Sequence, residues 1–162
     1  MTICIAAICD GGDSIVVAAD RMFTAGPPLN LEFEPPISKI EKLGDACVAM
    51  SSGNGLYASE LAEKVRSRLK GSTGGKNPKL VNVVAYTKEA YVNFRNEKVQ
   101  DQILSAHLGP DFANAVSKSV SLPTYLKDQP QMYQQMIIQN ANFNLGVEVT
   151  IAGCDESGSH IY

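Results

Sequence analysis

Thr2 stands directly behind the initiator Met1 and opens the apolar run Ile3-Cys4-Ile5-Ala6-Ala7-Ile8. A threonine that becomes the first residue after methionine removal carries a hydroxyl nucleophile and a free α-amine, and the amine can take the hydroxyl proton. The α-amine titrates at about 7.7–8.0 when unperturbed, so part of it is neutral base near pH 7. The chemistry this suggests is acyl transfer with a self-supplied base. It carries one condition: with Met1 retained, the amine is an amide and the base is gone. The chain has only two histidines, His107 and His160, so a zinc site or a Ser-His-Asp triad is hard to build. That scarcity favours a mechanism without histidine.

The elements around Thr2 decide whether it has partners. Ile3–Ile8 and Ser14–Ala19 read as two strands joined by the turn Asp10-Gly11-Gly12-Asp13. Both are nearly continuous apolar runs, which predicts a sheet covered on both faces. Ala25–Pro36 reads as loop, with Gly26-Pro27-Pro28 and Pro35-Pro36 excluding regular helix. Ser38–Leu43 and Ala46–Ser51 read as a further hairpin around Gly44-Asp45. Asp20 then ends the second strand and Lys39 begins the third. In a tight hairpin the start of one strand lies near the end of the next, so Thr2 and Asp20 can approach each other, and the third strand can bring Lys39 between them. Asp20 as a turn cap, or in a surface ion pair with Arg21 or Lys39, is the structural alternative.

Beyond the strands the pattern turns helical. Leu56, Ala58, Leu61, Ala62, Val65 and Leu69 form an apolar stripe after Ser51-Ser52-Gly53-Asn54-Gly55, and Gly71–Asn77 reads as a linker. Leu80, Val84, Tyr91, Phe94, Val99 and Ile103 mark a long second helix stopped at Gly109-Pro110. Asp111–Val120 and Asp128–Asn142 read as helices capped by Asp111 and Asp128. Val147–Ala152 and His160-Ile161-Tyr162 return to strand around the turn Asp155-Glu156-Ser157-Gly158. Strand pairs followed by helices and a closing hairpin predict an α+β fold, not the alternating order of a parallel sheet.

Composition narrows the partners. The chain has 162 residues, 44% of them hydrophobic and 19% charged, which suits one domain with a sizeable core. A net charge of -3 gives no reason to expect nucleic acid or a membrane surface as partner. Lys64, Arg66, Arg68 and Lys70 cluster on one predicted helix and read as a solvated face. No segment has the apolar length to span a bilayer, and the N-terminus lacks the basic region of a signal peptide. Cys4, Cys9, Cys47 and Cys154 show no metal-type spacing and read as buried thiols in a reducing cytoplasm. Gly71-Ser72-Thr73-Gly74-Gly75-Lys76 has the composition of a phosphate loop but lies between two helices, so linker is the better reading.

In order along the chain, the Thr-led first strand, Val16-Val17-Ala18-Ala19-Asp20, Thr24-Ala25-Gly26, Ser38-Lys39-Ile40-Glu41-Lys42-Leu43, Ala49-Met50-Ser51-Ser52-Gly53-Asn54-Gly55, the two helices and Ile151–Tyr162 are similar to one known group. The chain resembles the proteasome-type N-terminal nucleophile hydrolases, that is, proteasome β subunits and their bacterial relatives. The resemblance implies a four-layer αββα sandwich within a single domain over 1–162. This would be the N-terminal two thirds of the family's domain, incomplete at its C-terminal end, with a helical insertion around 109–144. It implies a threonine-type peptidase or amidohydrolase acting on peptide or protein substrates, cytoplasmic, with no metal or organic cofactor, built as a ring-type homo-oligomer. A non-catalytic ring subunit with Met1 retained is the alternative.

Carried over, the resemblance makes Thr2 the nucleophile, Lys39 the cation that acidifies it and Asp20 the carboxylate that orients Lys39. It gives Thr24, with Gly26 in the same motif, to the backbone recognition of an extended substrate. It gives Gly53 or its neighbour Ser52 to the oxyanion hole. Lys42 is the weaker choice for the lysine, and Cys4 is a poor nucleophile because it is not terminal. Phe23 and Met50 are the guesses for residues lining a side-chain pocket.

Overall fold

The computed structural model describes residues 2–25, 28–29, 31–34, 38–73, 78–105 and 130–162. They form a mixed α+β protein whose sheets are all antiparallel. The chain divides into two compact units, Met1–Ala90 with Gly146–Tyr162, and Tyr91–Leu145.

The first unit begins with β1 (Cys4–Cys9) and β2 (Ser14–Ala19), joined by a short 3₁₀ turn at Asp10–Gly12. Gly12 takes a φ of 112°, a conformation that favours glycine, which is why this tight reversal needs it. The register pairs Cys4 with Ala19 and Cys9 with Ser14, so Thr2 and Asp20 lie at the same open end of the hairpin. A second, small ribbon pairs β3 (Phe23–Ala25) with β4 (Leu31–Phe33). Part of the segment expected to be loop is therefore strand. The rings of Phe23 and Phe33 stack with centroids 6.3 Å apart, an apolar contact that two prolines on either side do not forbid.

The main sheet has the order β5 (Ile40–Gly44), β6 (Cys47–Gly53), β7 (Val147–Asp155), β8 (Gly158–Ile161). Successive side chains point to opposite faces of it. Leu43, Ala49 and Val149 face helix α1 (Gly55–Thr73), meeting Ala58, Leu61, Ala62 and Val65, with Thr87 from the next helix. On the opposite face, Met50 and Ala152 are buried where the β1–β2 hairpin packs across β6, β7 and β8. The unit thus stacks helix on sheet on sheet. Asn54 starts α1 by accepting the Tyr57 N–H on its side-chain oxygen and the Ala58 N–H on its carbonyl.

The main sheet is covered on both faces, but the sheet for which the runs Ile3–Ile8 and Ser14–Ala19 predict this is the other one. The β1–β2 hairpin is not covered on both. Ile5, Ala7, Val16 and Ala18 share its outward face by register, and Ile3, Ile5 and Val16 are each at least half exposed. A continuous apolar run reports the hydrophobicity of both faces and says nothing about which is covered. In α1, Leu61, Val65 and Leu69 are buried as expected, but Leu56 is 75% exposed.

Helix α2 (Leu80–Val99) is capped from far away in sequence. Asp155 accepts the Leu80 N–H at 2.8 Å, and also the backbone N–H and the hydroxyl of Ser157. These bonds, the Ser157 hydroxyl foremost, hold the Asp155 carboxyl down at about 2. A depressed carboxyl stabilises the fold above its unfolded value of about 4, and that contribution fades as pH falls towards the folded value. Asp155→Asn is accordingly expected to melt below the wild type at pH 7, with the difference closing between about pH 4 and 2. Circular dichroism melts across that range check it; a constant difference would contradict the assignment.

The second unit holds the remainder of α2, a π turn at Gln100–Leu104 and helix α3 (Pro130–Asn142). Arg95 satisfies the end of α3 by donating to the carbonyls of Asn140 and Phe143. Of the insertion expected around 109–144, the structure describes α3 and the residues after it. The predicted helix Asp111–Val120, its cap and Asp128 lie outside the described residues, as do His107 and the last part of the linker before α2.

Candidate active site

Three elements bring the predicted residues together. The register of the β1–β2 hairpin is extended by two bonds: Asp20 N–H donates to the Ile3 carbonyl at 3.0 Å, and Ile3 N–H donates to Asp20 Oδ1 at 2.7 Å. Asp20 Oδ2 accepts the Met22 N–H at 3.1 Å. The carboxylate is therefore aimed by the backbone before any cation arrives. These bonds, the one from Ile3 first and that from Lys39 second, hold its pKa below the ordinary aspartate value.

Lys39 enters from the start of β5 and is only 6% exposed. Its Nζ donates to Asp20 at 2.9 and 3.1 Å, to Thr2 Oγ1 at 3.0 Å and to the Met22 carbonyl at 2.5 Å. It also lies 5.1 Å from the centroid of the Phe23 ring. A lysine ammonium has three N–H donors, and oxygens from three different residues surround it. A buried cation is tolerable only when paired and hydrogen bonded, and this one is both. Lys42, the weaker choice, points away: it is exposed and pairs with Asp45.

Thr2, Lys39, Thr24, Ser52 and Gly53 line one cleft of about 620 Å³, together with Met22, Phe23, Ser38, Glu41, Ser51, Gly55, Leu56, Ala58 and Ser59. Phe23 is a cleft residue as guessed; Met50 is not, being buried between the two sheets. Gly26 lies outside the described residues. Gly55 gives the Phe23 ring its place, since a Cβ there would stand 2.9 Å from that ring.

Strand alternation separates Ser52 from Gly53. The Ser51 N–H bonds the Lys39 carbonyl on the β5 side, and the Asn54 N–H bonds the Gly146 carbonyl on the β7 side. Backbone N–H groups alternate sides along a strand, so the Gly53 N–H is directed to the β5 side, beyond the end of that strand, on the cleft that Gly53 and Lys39 both line. The Ser52 N–H is directed into the sheet, and its hydroxyl donates to Glu148.

The other reactive groups have different roles. Burial raises the Cys4 thiol, opposed by Lys39, and the thiol lies 3.8 Å from the Ser51 carbonyl. Burial pushes Cys47 up to about 11. All four cysteines are free thiols, although only Cys47 is fully buried. Ser157 lies 2.9 Å from His160 Nε2 and 2.5 Å from Asp155 Oδ1. This has the composition of a triad without its connectivity, because the carboxylate and the imidazole both bind the serine hydroxyl, and the carboxylate does not orient the ring through its other nitrogen. Arg66 and Arg68 of the basic cluster sit in ion pairs with Glu41, Glu63 and Glu89. Among the described residues, no three His, Cys, Asp or Glu side chains group so as to hold a metal ion, and no helix is long and apolar enough to cross a membrane.

Met22 and Glu41 are the site residues that sequence reasoning passed over. Met22 acts through its carbonyl, which no residue type signals. Glu41 was legible: it lies two positions beyond Lys39 in the predicted strand Ser38–Leu43, and alternation in such a strand puts both on one side. Comparison with protein-family models and with curated proteins found no match to this chain.

Proposed function

We propose that this protein is a threonine-type hydrolase of peptides or related amides, with Thr2 as an N-terminal nucleophile exposed by removal of Met1. The observation that carries the proposal is the Lys39 ammonium seated between Thr2 Oγ1 and the Asp20 carboxylate at the edge of an open cleft.

The base must be the Thr2 α-amine. Lys39 gives its protons to Thr2, Asp20 and Met22, so it offers no lone pair to accept one. Its charge favours alkoxide character at Thr2 Oγ1 and disfavours the protonated form of the neighbouring amine. In the first half-reaction the hydroxyl proton passes to the amine while Oγ1 bonds to the substrate carbonyl carbon. The oxygen that gains charge meets the Gly53 N–H. The proton then leaves with the departing amine of the substrate, and an ester on Thr2 remains. Water, deprotonated by the same α-amine, cleaves that ester and restores the hydroxyl.

The fold reading extends in the same direction. Helix, sheet and sheet are three of the layers of an αββα sandwich, and the apolar outer face of the β1–β2 hairpin is the surface a second helical layer would cover. A ring-type homo-oligomer goes with this proposal, and native mass measurement tests it.

The direct test is chemical. An epoxyketone that reacts with an N-terminal threonine is expected to add once to the mature protein, at Thr2, and to leave Thr2→Ala unmodified. Intact mass gives both the adduct and the state of the N-terminus. Met1 retained on the mature protein, or an adduct that survives in Thr2→Ala, overturns the proposal.

A further inference from the structure

We propose that Glu41 makes the cleft selective for a cationic side chain, a lysine or arginine beside the bond that Thr2 attacks; this rests on the hydrolase reading above. Lys39, immediately before β5, and Glu41, within it, both line the cleft. Glu41 stands two residues along the chain from Lys39, about 7 Å in extended backbone, so a long side chain is the kind that would bridge from the Lys39 end of the cleft to it. Beyond Glu41, between the sheet and α1, the remaining space is about 10 Å³. That holds one water at most, so Glu41 forms a floor.

The two charges of the cleft differ in what they have left to offer. The three protons of Lys39 are taken up by Thr2, Asp20 and Met22. Glu41 Oε2 accepts from Arg66 at 2.8 Å, but among the described residues Oε1 has only the Ser59 hydroxyl at 3.5 Å. An ionised carboxylate accepts about four hydrogen bonds, so Glu41 keeps acceptor capacity on the oxygen away from Arg66. Arg66 does not depend on Glu41 alone, because it also pairs with Glu63 and donates to the Lys42 carbonyl. A substrate cation can share Glu41 without stranding it.

Met22, Phe23 and Leu56, on the same cleft, provide apolar surface for the methylene stem of such a side chain. An acidic side chain would meet the Glu41 carboxylate, and the Lys39 ammonium already gives its protons to Thr2, Asp20 and Met22.

The experiment uses the mature protein and a series of fluorogenic peptides that differ only in the residue supplying the cleaved carbonyl: Arg, Lys, Leu or Glu. The kcat/KM for Arg and Lys is expected to exceed that for Glu by about tenfold or more, from a charge-assisted hydrogen bond present with one and absent with the other. Glu41→Gln is expected to bring the Arg-to-Glu ratio to within about twofold, and Arg66→Gln, which frees Glu41 of its internal partner, to raise it. Thermal melts establish that both variants fold; should Glu41→Gln not fold, the direction of the Arg66→Gln change decides. Cleavage with no preference for Arg and Lys, a ratio that survives Glu41→Gln, or an unchanged or lower ratio in Arg66→Gln overturns the inference alone. No cleavage of any peptide, with no epoxyketone adduct on Thr2, overturns the hydrolase reading and this inference with it.

Discussion

Lys39→Met is expected to lower kcat/KM for peptide cleavage by about a thousandfold, comparable to the loss of a preorganised charge-stabilising donor in other enzymes. Methionine keeps most of the volume of the buried stem, so the change is aimed at the charge. The ammonium lies 3.0 Å from Thr2 Oγ1 and 2.9 Å from Asp20. Without it, the nucleophile loses its donor and the Asp20 charge stands unbalanced beside a developing alkoxide. The Ile3 N–H, the first cause of the lowered Asp20 pKa, remains in place and still favours the carboxylate. Both effects raise the barrier. The pH profile separates this from simple misfolding. Removing a nearby cation makes the protonated α-amine easier to hold, so its pKa rises. The rate needs the neutral amine, and the acidic limb of the profile therefore moves to higher pH. Lys39→Arg is not expected to rescue the rate, since a planar fork does not fit the converging acceptors that one compact ammonium serves. A Lys39→Met protein that folds and retains a tenth or more of wild-type activity would remove Lys39 from the mechanism.

Much of this site could be anticipated from local rules, and the reason lies in hairpin geometry. A tight turn at Asp10–Gly12 leaves little freedom of register, so Ile3, just before β1, and Asp20, just after β2, must meet, with Thr2 as the next residue outward. That places Asp20 beside Thr2 at the open end of the hairpin. Lys39 needed the third strand, and its start just before Ile40 was close enough to the predicted boundary to hold. What local rules missed depends on facts that side-chain type does not encode. The Met22 carbonyl and the Gly53 N–H are backbone groups, and their directions follow from register. Met50 and Leu56 were misjudged for a related reason. Both are large and apolar, but strand alternation turns Met50 into the space between the sheets, while Leu56, in the first turn of α1, opens onto the cleft. The outward face of the β1–β2 hairpin likewise reads as core from its residues and is open in the structure.

Gly53→Ala is expected to be among the most damaging single changes, through the fold before the chemistry. Gly53 ends β6 with a φ of 91°, and a Cβ built there would stand 1.9 Å from the Gly146 carbonyl oxygen. Real Cβ atoms do not approach so closely. The obstacle is backbone, so a side-chain rotation cannot relieve it. Moving that carbonyl breaks its bond from the Asn54 N–H, which is 2.7 Å long and ties the residue between β6 and α1 to the residue before β7. The left-handed conformation costs an alanine about 1–2 kcal/mol, and the overlap adds about 1–3 kcal/mol. For a chain of this size that is a drop in Tm of about 10 °C. The same shift displaces the Gly53 N–H from the place where the oxyanion is proposed to form, so any folded fraction should cleave peptides at least about a hundredfold more slowly. Gly44→Ala provides the contrast. A Cβ at Gly44 meets nothing within 4 Å, and its effect should stay within about 0.5 kcal/mol. Melting both variants beside the wild type checks the pair. Equal small losses would mean that the β6–β7 junction yields easily, and that a rigid Gly53 amide is not what holds the oxyanion site in place.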